Sequence, residues 1–287
     1  MMRSYAPGLV VAGLLTALGG MATADTVSLS PAADNTMYEY DLFPGAEATS
    51  NGAGQYFFAG NNASGFTRRG LVRFDVSGAV PEGATITGVT LTLHVSQTVA
   101  GPVEVALHRV VSSWGEASSQ ARGGEGGGAA ASSGDATWHH RFFPATGWTA
   151  PGGDFAAAAS SSKMVDGIDF YSFSGSGLIA DVSGWISGAL PNHGWCLLGD
   201  ESQPATAKRF DSRTNLDGEF RPVLVIEFTP AAGCVGDYNQ DGGVDGADIE
   251  SFFIDWEYGE AAADVNQDGG VDGGDVEFFF VRWEAGC

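Results

Sequence analysis

The chain has 287 residues, 44% of them apolar and 17% charged, with 43 glycines and a formal net charge of −22. That length can bury one large core or two smaller ones, and the apolar share is not that of a disordered chain. A nucleic-acid backbone binder needs a basic stripe, so the opposite balance argues against DNA or RNA as a partner. Residues 234–287 hold 14 acidic side chains against one base, Arg282, which divides the chain into a mildly acidic body and an intensely acidic tail.

The first 24 residues carry the pattern of a secretory signal peptide: Arg3, an uncharged apolar run from Leu9 to Leu18, and the small-residue site Ala22-Thr23-Ala24. Cleavage after Ala24 would give a secreted chain, and no later stretch is long and apolar enough for a membrane span in the mature protein. Disulfides are then permitted. Of three cysteines, Cys196 lies in an apolar run and reads as a buried free thiol, while Cys234 and Cys287 bracket the tail as a candidate bridge.

From 25 to 232, period-two alternation dominates. Val89, Leu91, Leu93 and Val95 face one way, and Val103, Val105 and Leu107 repeat the pattern after an Ala-Gly-Pro turn, which predicts neighbouring strands in a hairpin. Strands are also expected over 70–76 and 222–228, the second apolar on both faces and so buried on both. Leu178, Val182, Trp185, Ile186 and Leu190 keep helical spacing, with Trp185 and Trp195 assigned to the core. Two low-complexity insertions, 115–135 and 155–163, read as mobile surface loops, and the rest as strands of an all-β sandwich.

The runs Arg69-Gly70-Leu71-Val72-Arg73-Phe74-Asp75-Val76, Trp114-Gly115-Glu116, Lys208-Arg209-Phe210-Asp211-Ser212-Arg213 and Arg221-Pro222-Val223-Leu224, in that order across nearly the whole body, resemble the DNRLRE domain. The resemblance implies a jelly-roll fold like that of carbohydrate-binding modules, and a polysaccharide, acidic in some members, as ligand. Sugars are held by aromatic faces and planar polar groups, and acidic sugars by arginine forks. The candidate glycan-binding residues are therefore Trp114, Trp138, Trp148, Arg68, Arg69, Arg73, Lys208, Arg209 and Arg213. No nucleophile elbow, HExxH pair or Cys/His cluster points to catalysis, and the expected function is noncatalytic.

The tail, 233–287, repeats itself at an interval of 27 residues. Asp237, Asn239, Asp241, Gly243, Asp245 and Asp248 recur as Asp264, Asn266, Asp268, Gly270, Asp272 and Asp275. Loop positions 1, 3, 5, 9 and 12 thus offer side-chain oxygens, position 7 a backbone carbonyl, and position 6 a glycine for the sharp turn, which is the ligand order of an EF-hand-like Ca²⁺ loop, present twice. An amphipathic helix is predicted after each loop, from Ile249, Phe252, Phe253 and Trp256 in one and Val276, Phe279, Phe280 and Trp283 in the other. Loop-then-helix units in duplicate, ending in Gly-Cys, look like a GC-type dockerin. That resemblance implies a cohesin-like partner; because positions 10 and 11 lack hydroxyl residues, surface-anchoring machinery is the other candidate. The leading expectation is a secreted polysaccharide-binding sandwich on a calcium-loaded dockerin-like tail, the alternatives being a tethered structural protein and an unrecognised glycan-cleaving enzyme.

Overall fold

The computed structural model describes residues 25–39, 48–81, 83–229, 233–241 and 243–286. The signal-peptide reading and the Cys287 half of the bridge fall outside the described residues. In chain order the body forms β1 (Asp25–Leu29), β2 (Pro31–Tyr38), β3 (Thr49–Ser50), β4 (Tyr56–Asn61), β5 (Thr67–Phe74), β6 (Thr85–Thr98), β7 (Val103–Arg109), β8 (Ala129–Ala130), β9 (His140–Phe142), β10 (Thr146–Gly147), β11 (Ser161–Val165) and β12 (Asp169–Ser174). Then come α1 (Ser176–Ile186), β13 (Trp195–Leu198), β14 (Lys208–Asp211) and β15 (Val223–Thr229), and in the tail α2 (Gly246–Tyr258) and α3 (Gly273–Ala285).

The body is a curled antiparallel sheet in the order β1-β15-β6-β14-β4-β5-β13-β7-β11, with β12 also on β6 and β2 on β5. One face of each half meets in a common core: Leu91, Leu93, Val95, Leu224 and Phe173 from the β6 side, Val72, Phe74, Leu107, Trp195 and Leu197 from the β5 side. Leu178, Val182 and Trp185 of α1 join that core. The chain passes from one half to the other within β4, whose Tyr56–Ala59 pair with β14 while Gly60 and Asn61 pair with β5. Gly60 has φ 104°, and a Cβ there would stand 3.0 Å from the Thr206 carbonyl oxygen, so both the bend and the close approach need glycine.

Several expectations are corrected. β6 and β7 do not form a hairpin: β6 pairs with β15, β14 and β12, whereas β7 pairs with β13 and β11, so the turn at 99–102 carries the chain between the two halves. Alternation reports which side chains face a core and is silent on the partner strand. β15 is buried on one face, with Leu224, Ile226 and Phe228 inward and Val223 exposed, because one face of its sheet is uncovered. The insertions pack. Ser119, Ala121, Glu125 and Asp135 are buried, and 161–165 is strand β11, paired with β7. The first insertion is held by polar contacts rather than apolar ones, which composition alone does not reveal.

Candidate metal loops and candidate glycan-binding residues

In the tail, the 27-residue repeat becomes a repeat of hydrogen bonds. The Asn239 amide donates to Asp248 Oδ1 at 3.1 Å and the Asn266 amide to Asp275 Oδ1 at 3.2 Å. The Asp241 amide donates to Asp237 Oδ1 and the Asp268 amide to Asp264 Oδ1, each at 3.1 Å. Asp245 and Asp272 cap the helices that follow, each in a capping box with Asp248 or Asp275, so positions 9 and 12 of each loop are fixed by the first turn of its helix. Both helices end on a left-handed glycine, Gly259 and Gly286.

The two units close on each other. Phe252 and Phe279 stack at 4.2 Å and 8° at the centre, and Tyr238 meets both edge-on. All eight apolar residues assigned to the two helix faces belong to this one core. Trp256 Nε1 donates to the Asp272 carbonyl and Trp283 Nε1 to the Asp245 carbonyl, each at 2.8 Å. Each helix therefore holds the loop of the other unit. Tyr238 donates its hydroxyl to Asp255 at 2.8 Å, and burial and that carboxylate push its pKa up.

The donor set of each loop fits a hard dication. It consists of carboxylates, one amide oxygen and a backbone carbonyl, with no sulfur or imidazole, and suits Mg²⁺ less, because that ion keeps several waters and resists an all-protein cage. The position-12 carboxylates of Asp248 and Asp275 are fully buried, each taking two backbone N–H bonds. Among the described residues no three His, Cys, Asp or Glu side chains converge as a metal-holding group, and loop amides donate to several of the carboxylate oxygens. Cys234 is disulfide-bonded and Cys196 is a buried free thiol, whose pKa burial pushes up to about 12.

In the body, the candidate glycan residues are dispersed into structural duties. Trp114 and Trp148 are buried, at 3% and 8% exposure, and donate their indole N–H to the carbonyls of His193 and Thr137. They pack in a second core with Met37, Leu71 and Cys196, with Trp138 at its edge, and neither offers a face to a sugar. Arg69 makes two 2.8 Å bonds to Glu201 and lies over the Trp138 ring. Arg213 grips Glu116 at 3.0 and 2.7 Å. Arg68 is buried and donates to the carbonyls of Phe66, Thr67 and Gly126, and Arg73 lies over Trp114. Lys208 is wholly buried, its ammonium shared among the carbonyls of Ala100, Gly101 and Asp166, and burial lowers its pKa. Eight of the nine candidate residues thus have contacts within the fold. Arg209 remains: it lies 3.8 Å above the Tyr56 ring, bound to Ser96 and, among the described residues, to no carboxylate.

Two features had no sequence signal. Arg122 reaches the same groove as Arg209 from the glycine-rich insertion. His94, stacked on Phe220 at 4.2 Å, meets buried Asp211 at 2.5 Å, and Asp211 in turn accepts from Asn215. Only tertiary pairing brings such distant positions together. No protein-family model matches the chain, and no curated protein matches it in sequence.

Proposed function

We propose that this is a secreted, noncatalytic polysaccharide-binding protein, a β-rich body carried on a calcium-dependent, dockerin-like anchoring tail. The observation that supports it most is the duplicated loop, whose hydrogen bonds recur in both copies and whose position-9 and position-12 carboxylates are set by helix caps. Asp237, Asn239, Asp241, Asp245, Asp248 and the Gly243 carbonyl would hold one Ca²⁺, and Asp264, Asn266, Asp268, Asp272, Asp275 and the Gly270 carbonyl the second. The ions would supply charge neutralisation to eight aspartates packed into two loops. Ile254 and Val281, one repeat apart and exposed at 50% and 61%, lie on the helices and suit docking to a cohesin-like domain or to surface-anchoring machinery.

Isothermal titration of the full chain with Ca²⁺ tests the tail, with two sites expected, and fewer than two removing the reading. A second reading, a tethered structural protein, is favoured by the burial of Trp114 and Trp148 and by the closed pairs of Arg69 and Arg213. Affinity electrophoresis on a polysaccharide panel separates the two: retardation supports the first, and unchanged mobility in every gel the second.

A further inference from the structure

An open groove of about 410 Å³ lies where the end of β6 and strand β14 face the segment 122–127, with Gln97, Thr98, Arg122, Gly124, Gly126 and Arg209 on its walls. The glycine-rich wall is fixed in place. Glu125 is buried within it, its carboxylate accepting from Asn51 Nδ2 at 2.8 Å and from the amides of Gln55 and Tyr56 at 3.2 and 3.0 Å. The opposite wall is fixed too. Arg209 Nε donates to Ser96 Oγ at 3.1 Å, Nη2 reaches the Ser96 carbonyl at 3.4 Å, and the guanidinium rests on Tyr56. Its Nη1 lies 3.8 Å from the point a Gly124 Cβ would take, and so faces the groove.

Neither arginine of the groove is compensated. Arg122 is exposed and Arg209 half-buried, and neither forms an ion pair among the described residues. Glu125, the acid on the same wall, has both oxygens turned inward to its own partners. Elsewhere in the body Arg69, Arg109 and Arg213 each hold a carboxylate. On a chain of net charge −22, two carboxylate-free guanidiniums sharing one concavity form an arrangement that an anion completes. A Cβ at Gly127 would meet nothing within 4 Å, so the rim is open at that point.

We propose that this groove binds the anionic group of an acidic saccharide, with Arg209 as the fixed fork and Arg122 closing from the loop. The proposal rests on the polysaccharide-binding reading above and gives it a place and a ligand class. The shared chemistry is a carboxylate or a sulfate on a sugar.

The test is affinity electrophoresis of the full chain, with Ca²⁺, through gels containing polygalacturonate, dextran sulfate or a neutral β-glucan. Retardation is expected in at least one anionic gel, and which one it is identifies the anion. It should weaken roughly tenfold in Arg122→Gln and in Arg209→Gln, as loss of a charge-assisted contact does, and vanish in Arg122→Glu. It should also fade as salt shortens the screening length from about 10 Å toward about 3 Å. Lys163→Gln, the same charge loss on edge strand β11, should retain full retardation. Because the Arg122 side chain is exposed and makes no hydrogen bond or ion pair among the described residues, its variants test the site without threatening the fold. Anionic retardation that is equal in Arg122→Glu and Lys163→Gln would overturn the site while leaving glycan binding standing. Retardation by the neutral glucan alone would overturn the anion chemistry, and none in any gel would overturn both the site and the reading beneath it.

Discussion

Asp34 is a buried carboxyl beside another. Its Oδ2 accepts from the Arg213 amide at 2.7 Å, its own amide donates to Glu116, and desolvation, aided by the Glu116 charge, raises its pKa to about 7. A folded-state pKa above the unfolded value means stability that is fully present below about pH 4 and is lost as pH rises through about 7. At about 1.4 kcal/mol per unit of difference, the loss is on the order of 4 kcal/mol. Asp34→Asn keeps the acceptor and removes the charge. It should therefore melt above the parent protein at pH 8, with the gap closing toward pH 4; parallel melting profiles across that range would refute this. Cys196 illustrates the same physics, since a wholly buried thiol with its pKa near 12 should resist alkylation until the body unfolds. Such residues mark the limit of what the chain reveals before it folds. That Cys196, Trp185 and Trp195 are core was legible from their apolar neighbours, whereas the forks of Arg69 and Arg213 looked available. Glu201 and Glu116, their partners, lie 132 and 97 residues away, and no local pattern links them.

Elements were legible where periodicity acts locally, as in β6, α1 and the two tail helices, and illegible where a long-range partner decides. The segment 115–135 shows why. Its glycines, alanines and serines carry too little apolar surface to pack, yet Glu125, in a left-handed conformation at φ 62°, plugs into the body and accepts from Asn51 Nδ2 and from the amides of Gln55 and Tyr56. Glu125→Ala should strip those bonds, each worth roughly 1.5–3 kcal/mol when one partner is charged. Lower thermal stability and faster proteolysis within 122–128 are expected, and an unchanged cleavage rate would show that the loop is held by something else. In the tail, the crossed tryptophan bonds tie each helix to the other loop. With the second loop disabled by Asp264→Ala, adding Trp283→Phe should weaken Ca²⁺ binding at the first loop about two- to tenfold, the worth of one net hydrogen bond. Equal affinity with and without the indole N–H would remove the coupling.

At the scale of the whole molecule, the body and the tail draw stability from different sources. The body buries a continuous core of aliphatic and aromatic side chains from both halves of its sheet. The tail is some 50 residues with a core centred on Phe252, Ala263 and Phe279, too small a burial to hold a fold alone. On the proposed calcium reading, two further terms would act there. One would be Ca²⁺, which at 100 times its dissociation constant would add about 2.7 kcal/mol per site. The other is the disulfide of Cys234, which, if closed with Cys287 around about 50 residues, adds on the order of 4 kcal/mol in the chain-entropy model. Chelation should therefore remove the far-UV signal of α2 and α3 while the β signal and the burial of Trp195 persist, and reduction should raise the Ca²⁺ concentration needed to restore the helices. If the disulfide stabilises by constraining the unfolded tail, reduction alone at saturating Ca²⁺ leaves the helices folded. Helical signal that survives both treatments would mean that the aromatic core is sufficient, and Asp237→Ala with Asp264→Ala would then leave the tail folded as well.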